Sequence, residues 1–184
     1  MKKKTIPLAF IVDGLTKSIK CAATSERFET MVLPVTKTDL PAISKKAGWL
    51  FDWEREFAAG AAIYKLVTVK EPKIIQGLVL FFEDEDHLFM RLLESAPFNV
   101  GKGKKYIGAS GNLVAFGCLL SRQKGFQGVL AFDSKNKLMS HYEKTLGARR
   151  LNRSQRMYIG EPEADLLINT YFPNLEQHKE NNHV

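Results

Sequence analysis

Cysteine is nearly absent. Cys21 and Cys118 are the only two in 184 residues, too few for a disulfide scaffold, and neither has a Cys or His at ligand spacing. That pattern offers no structural zinc site. Long apolar runs are lacking too, since nothing approaches the ~20 residues of a membrane span. Residues 6–12 (IPLAFIV) follow a basic start and resemble the opening of a signal peptide, but the run contains Pro7 and is cut by Asp13-Gly14. The segment fails the length and flank criteria of a leader, so the expected location is the cytoplasm. Repeats and low-complexity blocks are missing as well. Acidic residues are in deficit: 20 Asp plus Glu stand against 27 Lys plus Arg, for a net charge of +7. That surplus favours an anionic partner without choosing among phosphates, nucleic acid and acidic surfaces. What is present is ordinary globular usage, 45% apolar and 26% charged, enough for one full-sized domain.

Polar residues near Thr24-Ser25 set off an amino-terminal extension (1–24) from a main domain (25–175), and 176–184 read as a polar tail that frays. Residues 28–35 are short and rich in β-formers, which predicts a strand. Thr38-Asp39 offers an N-cap for a helix that Gly48 ends, and 52–57 suit another short helix. Residues 63–69, 74–82 and 88–93 then read as three strands joined by Pro-containing or acidic turns, an antiparallel meander. The near-continuous apolar character of the third predicts burial on both faces. Helices over 113–124 and 135–146 enclose a strand at 128–132; a strand at 156–159 and a helix over 164–171 follow. A strand–helix–strand succession requires parallel pairing at that point. The expected fold class is α/β (α+β): a mixed, mostly antiparallel central sheet with helices on both faces.

The informative segment joins the third strand of the meander to the first long helix. It contains Gly101, Gly103, Gly108 and Gly111 with Lys102, Lys104 and Lys105. Glycines let a ligand approach the main chain, and a helix amino terminus presents unpaired N–H groups and partial positive charge to phosphate. A solvated connecting loop has the same composition. The pattern is not a Walker loop, because Ala109-Ser110 stands where Lys-Ser/Thr is required, and 108–111 lacks the glycine spacing of a dinucleotide fingerprint.

The segment Lys105-Tyr106-Ile107-Gly108-Ala109-Ser110-Gly111-Asn112-Leu113 resembles the diphosphate loop of the GNAT superfamily of acyl-CoA N-acetyltransferases, Gln/Arg-x-x-Gly-x-Gly/Ala, with Lys105 and Ser110 as departures. Tyr142-Glu143-Lys144-Thr145-Leu146-Gly147-Ala148 is similar to the family's Tyr-x-x-x-Gly-Phe ending, one residue longer and with Ala for Phe. Element order agrees from about Phe28 to Tyr171. The resemblance implies acetyl-CoA as co-substrate. Residues 105–113 would hold its diphosphate mainly through main-chain N–H groups, and Ser95 and Ala96 would pair with pantetheine. Lys135 stands near the position of an asparagine that often follows the family's fifth strand. The loop between Glu94 and Lys105 is longer than the family usually allows, which leaves open a CoA-binding protein without turnover.

Acetyl transfer needs a neutral amine, a stabilised oxyanion and a protonated leaving thiolate. Tyr142, at the family's tyrosine position, is the candidate acid; the alternative is a ring packed on the sheet with its hydroxyl on a carbonyl. Glu94, at the opening end of its strand, is the candidate base; the alternative is an ion pair with Arg91 or a lysine. His87 reads as solvated in an acidic turn, His141 points away from Tyr142, and Cys118 reads as core. By the same resemblance the acceptor side would draw on Trp49, Phe51, Trp53 and Phe57 with Asp52, Glu54 and Glu56, while Trp49 and Trp53 at helical spacing also read as core. Such aromatic and acidic residues suit a primary amine on a small molecule, a protein or an aminoacyl-RNA, and homodimerisation is a further expectation. The competing class is a basic nucleic-acid-binding protein using Lys2 to Lys4, Lys17, Lys20 and the arginines 149, 150, 153 and 156.

Overall fold

The computed structural model describes residues 5–175. The lysines at 2–4 and the polar tail of 176–184 lie outside them. The strands are β1 (Ile19–Cys21), β2 (Arg27–Phe28), β3 (Thr30–Pro34), β4 (Ala62–Thr68), β5 (Ile75–Glu83), β6 (Leu88–Ser95), β7 (Tyr106–Ile107), β8 (Leu130–Asp133), β9 (Arg149–Arg150) and β10 (Arg156–Ile159). The α-helices are α1 (Trp53–Ala58), α2 (Ala109–Gln123), α3 (Met139–Leu146) and α4 (Glu161–Tyr171).

A seven-stranded sheet runs in the order β3-β4-β5-β6-β8-β10-β9. Every pairing in it is antiparallel except β6 with β8. The expected meander is therefore present, with β3 added at its edge. β5 and β6 are apolar almost throughout because both faces are covered. Phe81 on β5 packs against Gly117 of α2, where an added Cβ would come within 2.8 Å of its ring. Leu78 faces the other way and stands across from Glu94 on β6, whose carboxylate meets Trp53 of α1. Cross-strand partners share a face, so α2 and α1 lie on opposite sides of the sheet.

Several boundaries differ from expectation. The helix expected after Thr38 is two 3-10 segments, Lys37–Ile43 and Lys45–Ala47, consistent with Pro41 in its middle. α2 begins at Ala109, four residues before the apolar period starts, because Gly108 takes φ +99° and turns the chain directly into the helix. The helix expected from Lys135 starts as a 3-10 turn, Asn136–Leu138, before α3.

The largest difference concerns residues 5–24. They do not stand apart from the domain: Leu8, Phe10, Val12 and Ile19 belong to its core. β1 pairs with β2 and β7 in a second, three-stranded sheet. Ahead of it, residues 5–18 form an extended strap across the molecule. Leu8 bridges to Ser134 in parallel fashion, with its N–H on the Asp133 carbonyl at 2.7 Å and its carbonyl receiving the Lys135 N–H at 3.0 Å.

Candidate active-site cleft

β6 and β8 pair only at Leu88 with Leu130 and Phe89 with Ala131. Beyond these two positions the strands diverge, and the strap enters the gap along the β8 side. A cleft of about 790 Å³ remains between the strap and the far end of β6. Phe10, Ile11 and Asp13 line one wall, Leu93, Glu94 and Ser95 the second, and Leu50 and Phe51 the third. Lys102, Lys104 and Lys135 bring three ammonium groups to it. An apolar slot with convergent cations suits an amphiphilic anion.

Ser95 and Lys135 border this cleft, while Ala96 is buried behind it with its N–H on the Gln76 carbonyl at 3.0 Å. The long loop that follows is not slack. Asn99 Nδ2 donates to the Gln76 carbonyl at 3.1 Å and Asn99 Oδ1 accepts from Tyr106 N–H at 3.1 Å, which folds the loop back on β5.

The expected diphosphate loop is covered. Ile107 and Tyr106 pair with Lys20 and Cys21 of β1. Ala109, Ser110, Gly111, Asn112 and Leu113 are all buried. Gly108 lies so close to the strap that an added Cβ would fall 2.0 Å from Thr16 Oγ1. Its N–H donates to Asp13 Oδ1 at 3.0 Å, and Lys104 Nζ donates to Asp13 Oδ2 at 3.0 Å. Ser110 Oγ donates to the Ile11 carbonyl, and Asn112 Nδ2 to Thr30 Oγ1 at 2.9 Å. Lys105 is turned to the surface, 5.5 Å from the Tyr106 ring centroid, and does not border the cleft.

Glu94 has a different task from either one expected of it. Its carboxylate accepts from Leu50 N–H at 2.6 Å, Phe51 N–H at 3.2 Å and Trp53 Nε1 at 2.8 Å. It is therefore not free as a base. Nor is it paired with Arg91, whose guanidinium meets Glu56 at 2.8 Å. Glu94 fixes the chain that carries Leu50 and Phe51 into the cleft. Trp49 and Trp53 are core residues rather than acceptor contacts, and Asp52 caps α1 by accepting from Arg55 N–H.

Tyr142 is fully buried, and its hydroxyl donates to the Phe10 carbonyl at 2.7 Å. Phe10 stacks on its ring at 4.5 Å between centroids, with Phe132 edge-on at 5.3 Å. Burial pushes the phenol pKa well above its ordinary value, only partly offset by the Phe10 hydrogen bond. In this conformation it is a structural donor. His141 accepts from Val12 N–H through Nε2 at 2.9 Å, a role its sequence position did not suggest. His87 sits on the β5–β6 turn, 2.7 Å from Asp86. Cys118 is buried on α2 with its thiol pushed up to about 12 by desolvation, as a core residue.

The strap was not foreseen as part of the site. Leu8, Phe10 and Val12 are buried while Ala9 and Ile11 are exposed, the period-two burial of an extended chain, but Ala9 and Ile11 are apolar too, so the sequence itself carries no alternation. Three strap residues are tied to α3 and α4. Thr16 N–H reaches Tyr171 Oη at 3.2 Å, alongside the bonds of Phe10 and Val12.

No protein-family model and no curated protein matches this sequence. Solved structures do. A tyrosine-to-phenylalanine variant of the AtaT toxin, bound to the C-terminus of the antitoxin AtaR and acetyl-CoA, superposes with a TM-score of 0.50 at 14% identity, covering 76% of this chain and 98% of that one. AtaTR bound with acetyl-CoA gives a TM-score of 0.52, again at 14% identity and with the same coverage. Likeness at that identity speaks for architecture. Together with the parallel, splaying β6–β8 pair inside an otherwise antiparallel sheet, it assigns this chain the GNAT fold.

Proposed function

We propose that the protein is an acyl-CoA-dependent N-acyltransferase that moves an acetyl group from acetyl-CoA to a primary amine. The observation that carries this reading is the apolar cleft where β6 parts from β8, ringed by Lys102, Lys104 and Lys135. It is supported by the acetyl-CoA complexes of proteins sharing the fold.

In this reading the exposed edge of β6 at Ser95 receives the pantetheine amides, and the lysines attract the phosphates. The amine approaches past Leu50 and Phe51, which Glu94 holds in place. Its lone pair attacks the thioester carbonyl, the C–S bond breaks, and the amine proton is lost as the CoA thiolate gains one. Glu94 is a positioning residue here, because three N–H donors engage its oxygens. Tyr142 can deliver a proton only after its bond to the Phe10 carbonyl is given up.

One observation favours a second reading, a CoA-binding protein without turnover: both candidate proton carriers are hydrogen-bonded within the fold. Calorimetry with acetyl-CoA and a thiol-release assay over a panel of amines separate the two. Binding that weakens in Lys102→Glu and Lys135→Glu, with thiol release, supports the transferase. Binding without release for any amine supports the second reading. No binding at all overturns both. Of the carboxy-terminal arginines on which the nucleic-acid alternative draws, three have partners within the fold. Arg149 pairs with Glu163 and Arg156 with Asp133, while Arg150 donates to carbonyls of its own turn.

A further inference from the structure

The strap carries a carboxylate to the amino terminus of α2. Asp13 is held there by two donors of different kinds, the Gly108 N–H and the Lys104 ammonium, each at 3.0 Å. A long helix concentrates partial positive charge at that end, and a main-chain N–H beside an ammonium is the donor set a phosphate oxygen takes. Asp13 is mostly enclosed, with 16% of its side chain exposed. Gly14 and Thr16 complete the closure. The Gly14 carbonyl lies 3.2 Å from where a Cβ on Gly111 would be, and Thr16 lies against Gly108. Around Asp13 the strap is fastened by the hydroxyls of Tyr142 and Ser110 and by the His141 ring.

A carboxylate and a diphosphate cannot both take the single Gly108 N–H, and like charges crowded at contact distance around one ammonium repel. We propose that the strap is an internal competitor: Asp13 fills the seat of a diphosphate, and a diphosphate-bearing ligand must displace it. The step that frees the seat also draws on Phe10, three residues away on the same extended chain, and so releases the Tyr142 hydroxyl. Ligand entry and liberation of the phenol are one event. The identity of the ligand as an acyl-CoA rests on the proposed function; the seat itself does not.

The test uses the full chain, wild type and Asp13→Asn, with inorganic pyrophosphate and acetyl-CoA as separate calorimetric titrants. Asparagine keeps the shape and removes the charge. Each titrant is expected to bind the variant about tenfold more tightly than the wild type. Equal or weaker pyrophosphate binding by the variant overturns the proposal. A pyrophosphate gain without acetyl-CoA binding to either protein keeps the internal competitor and removes the acyl-CoA reading. Hydrogen exchange of the wild type with saturating pyrophosphate separates displacement from a mere charge effect. The Leu8 and Val12 amides, bonded to Asp133 and His141, are expected to exchange faster. Unchanged or slower exchange means that the anion binds with the strap in place, and overturns the proposal.

Discussion

Glu94 satisfies two main-chain N–H groups and the Trp53 indole from one buried carboxylate. Glutamine at this position would set an NH2 against at least one of those donors, leaving it unpaired in the interior. Glu94→Gln should therefore cost about 3 kcal/mol in a urea titration. It should also loosen the segment carrying Leu50 and Phe51 into the cleft. A loss under ~0.5 kcal/mol would mean that water replaces the carboxylate, contrary to its burial. At this scale the sequence placed Glu94 at the end of a buried strand, and that was right. Its partners were not legible, because they lie more than forty positions earlier in the chain. For Tyr142 the alternative of a packed ring with its hydroxyl on a carbonyl is the one observed, but the carbonyl belongs to Phe10, 132 positions away, which no motif names.

Among the elements, the meander and α2 follow from local pattern, while the strap does not. β4, β5 and β6 announce themselves through apolar runs punctuated by Pro72 and the acidic turn at residues 83–86. The start of α2 was misjudged because the periodic apolar residues begin later than the helix does. Residues 6–12 of the strap are apolar without a break, so the alternating burial of Leu8, Phe10 and Val12 is set by the fold and not by a legible pattern. Phe10 is the strap's main anchor, stacked on Tyr142 and 5.7 Å from Phe132. Phe10→Ala removes that contact at a cost on the order of 3 kcal/mol. If the strap opens as a local unit, exchange of the Leu8 and Val12 amides should then accelerate on the order of a hundredfold. Amides in β5 should be unaffected. Equal acceleration in β5 would show that the strap opens only with the whole domain.

On the scale of the whole molecule, the excess of +7 charges divides into spent and available cations. Arg149 ties β9 to α4 through Glu163, and Arg156 ties β10 to β8 through Asp133 and stacks on Phe89 at 4.4 Å. Lys102 and Lys135 stand at the cleft. Binding of acetyl-CoA should accordingly weaken as salt rises, because partly exposed lysines act across a Debye length of about 8–10 Å. Titrations at low and high ionic strength check this, and Lys102→Glu should flatten the dependence. A dependence unaltered by that substitution would place the phosphates elsewhere.

Taken alone, the sequence left out the short strands β1, β2, β7 and β9 but determined six strands of the main sheet, the long helix after the glycine-rich loop and the parallel crossing that makes the GNAT fold. These rest on residues near one another in the chain, where period and turn chemistry operate. Only the tertiary structure decided what occupies the loop expected to hold a diphosphate. Asp13 and Gly108 are 95 positions apart, and nothing in either neighbourhood encodes their meeting. It follows from where the sheet opens, from the apolar slot left there, and from a strap whose alternating side chains fill one side of it.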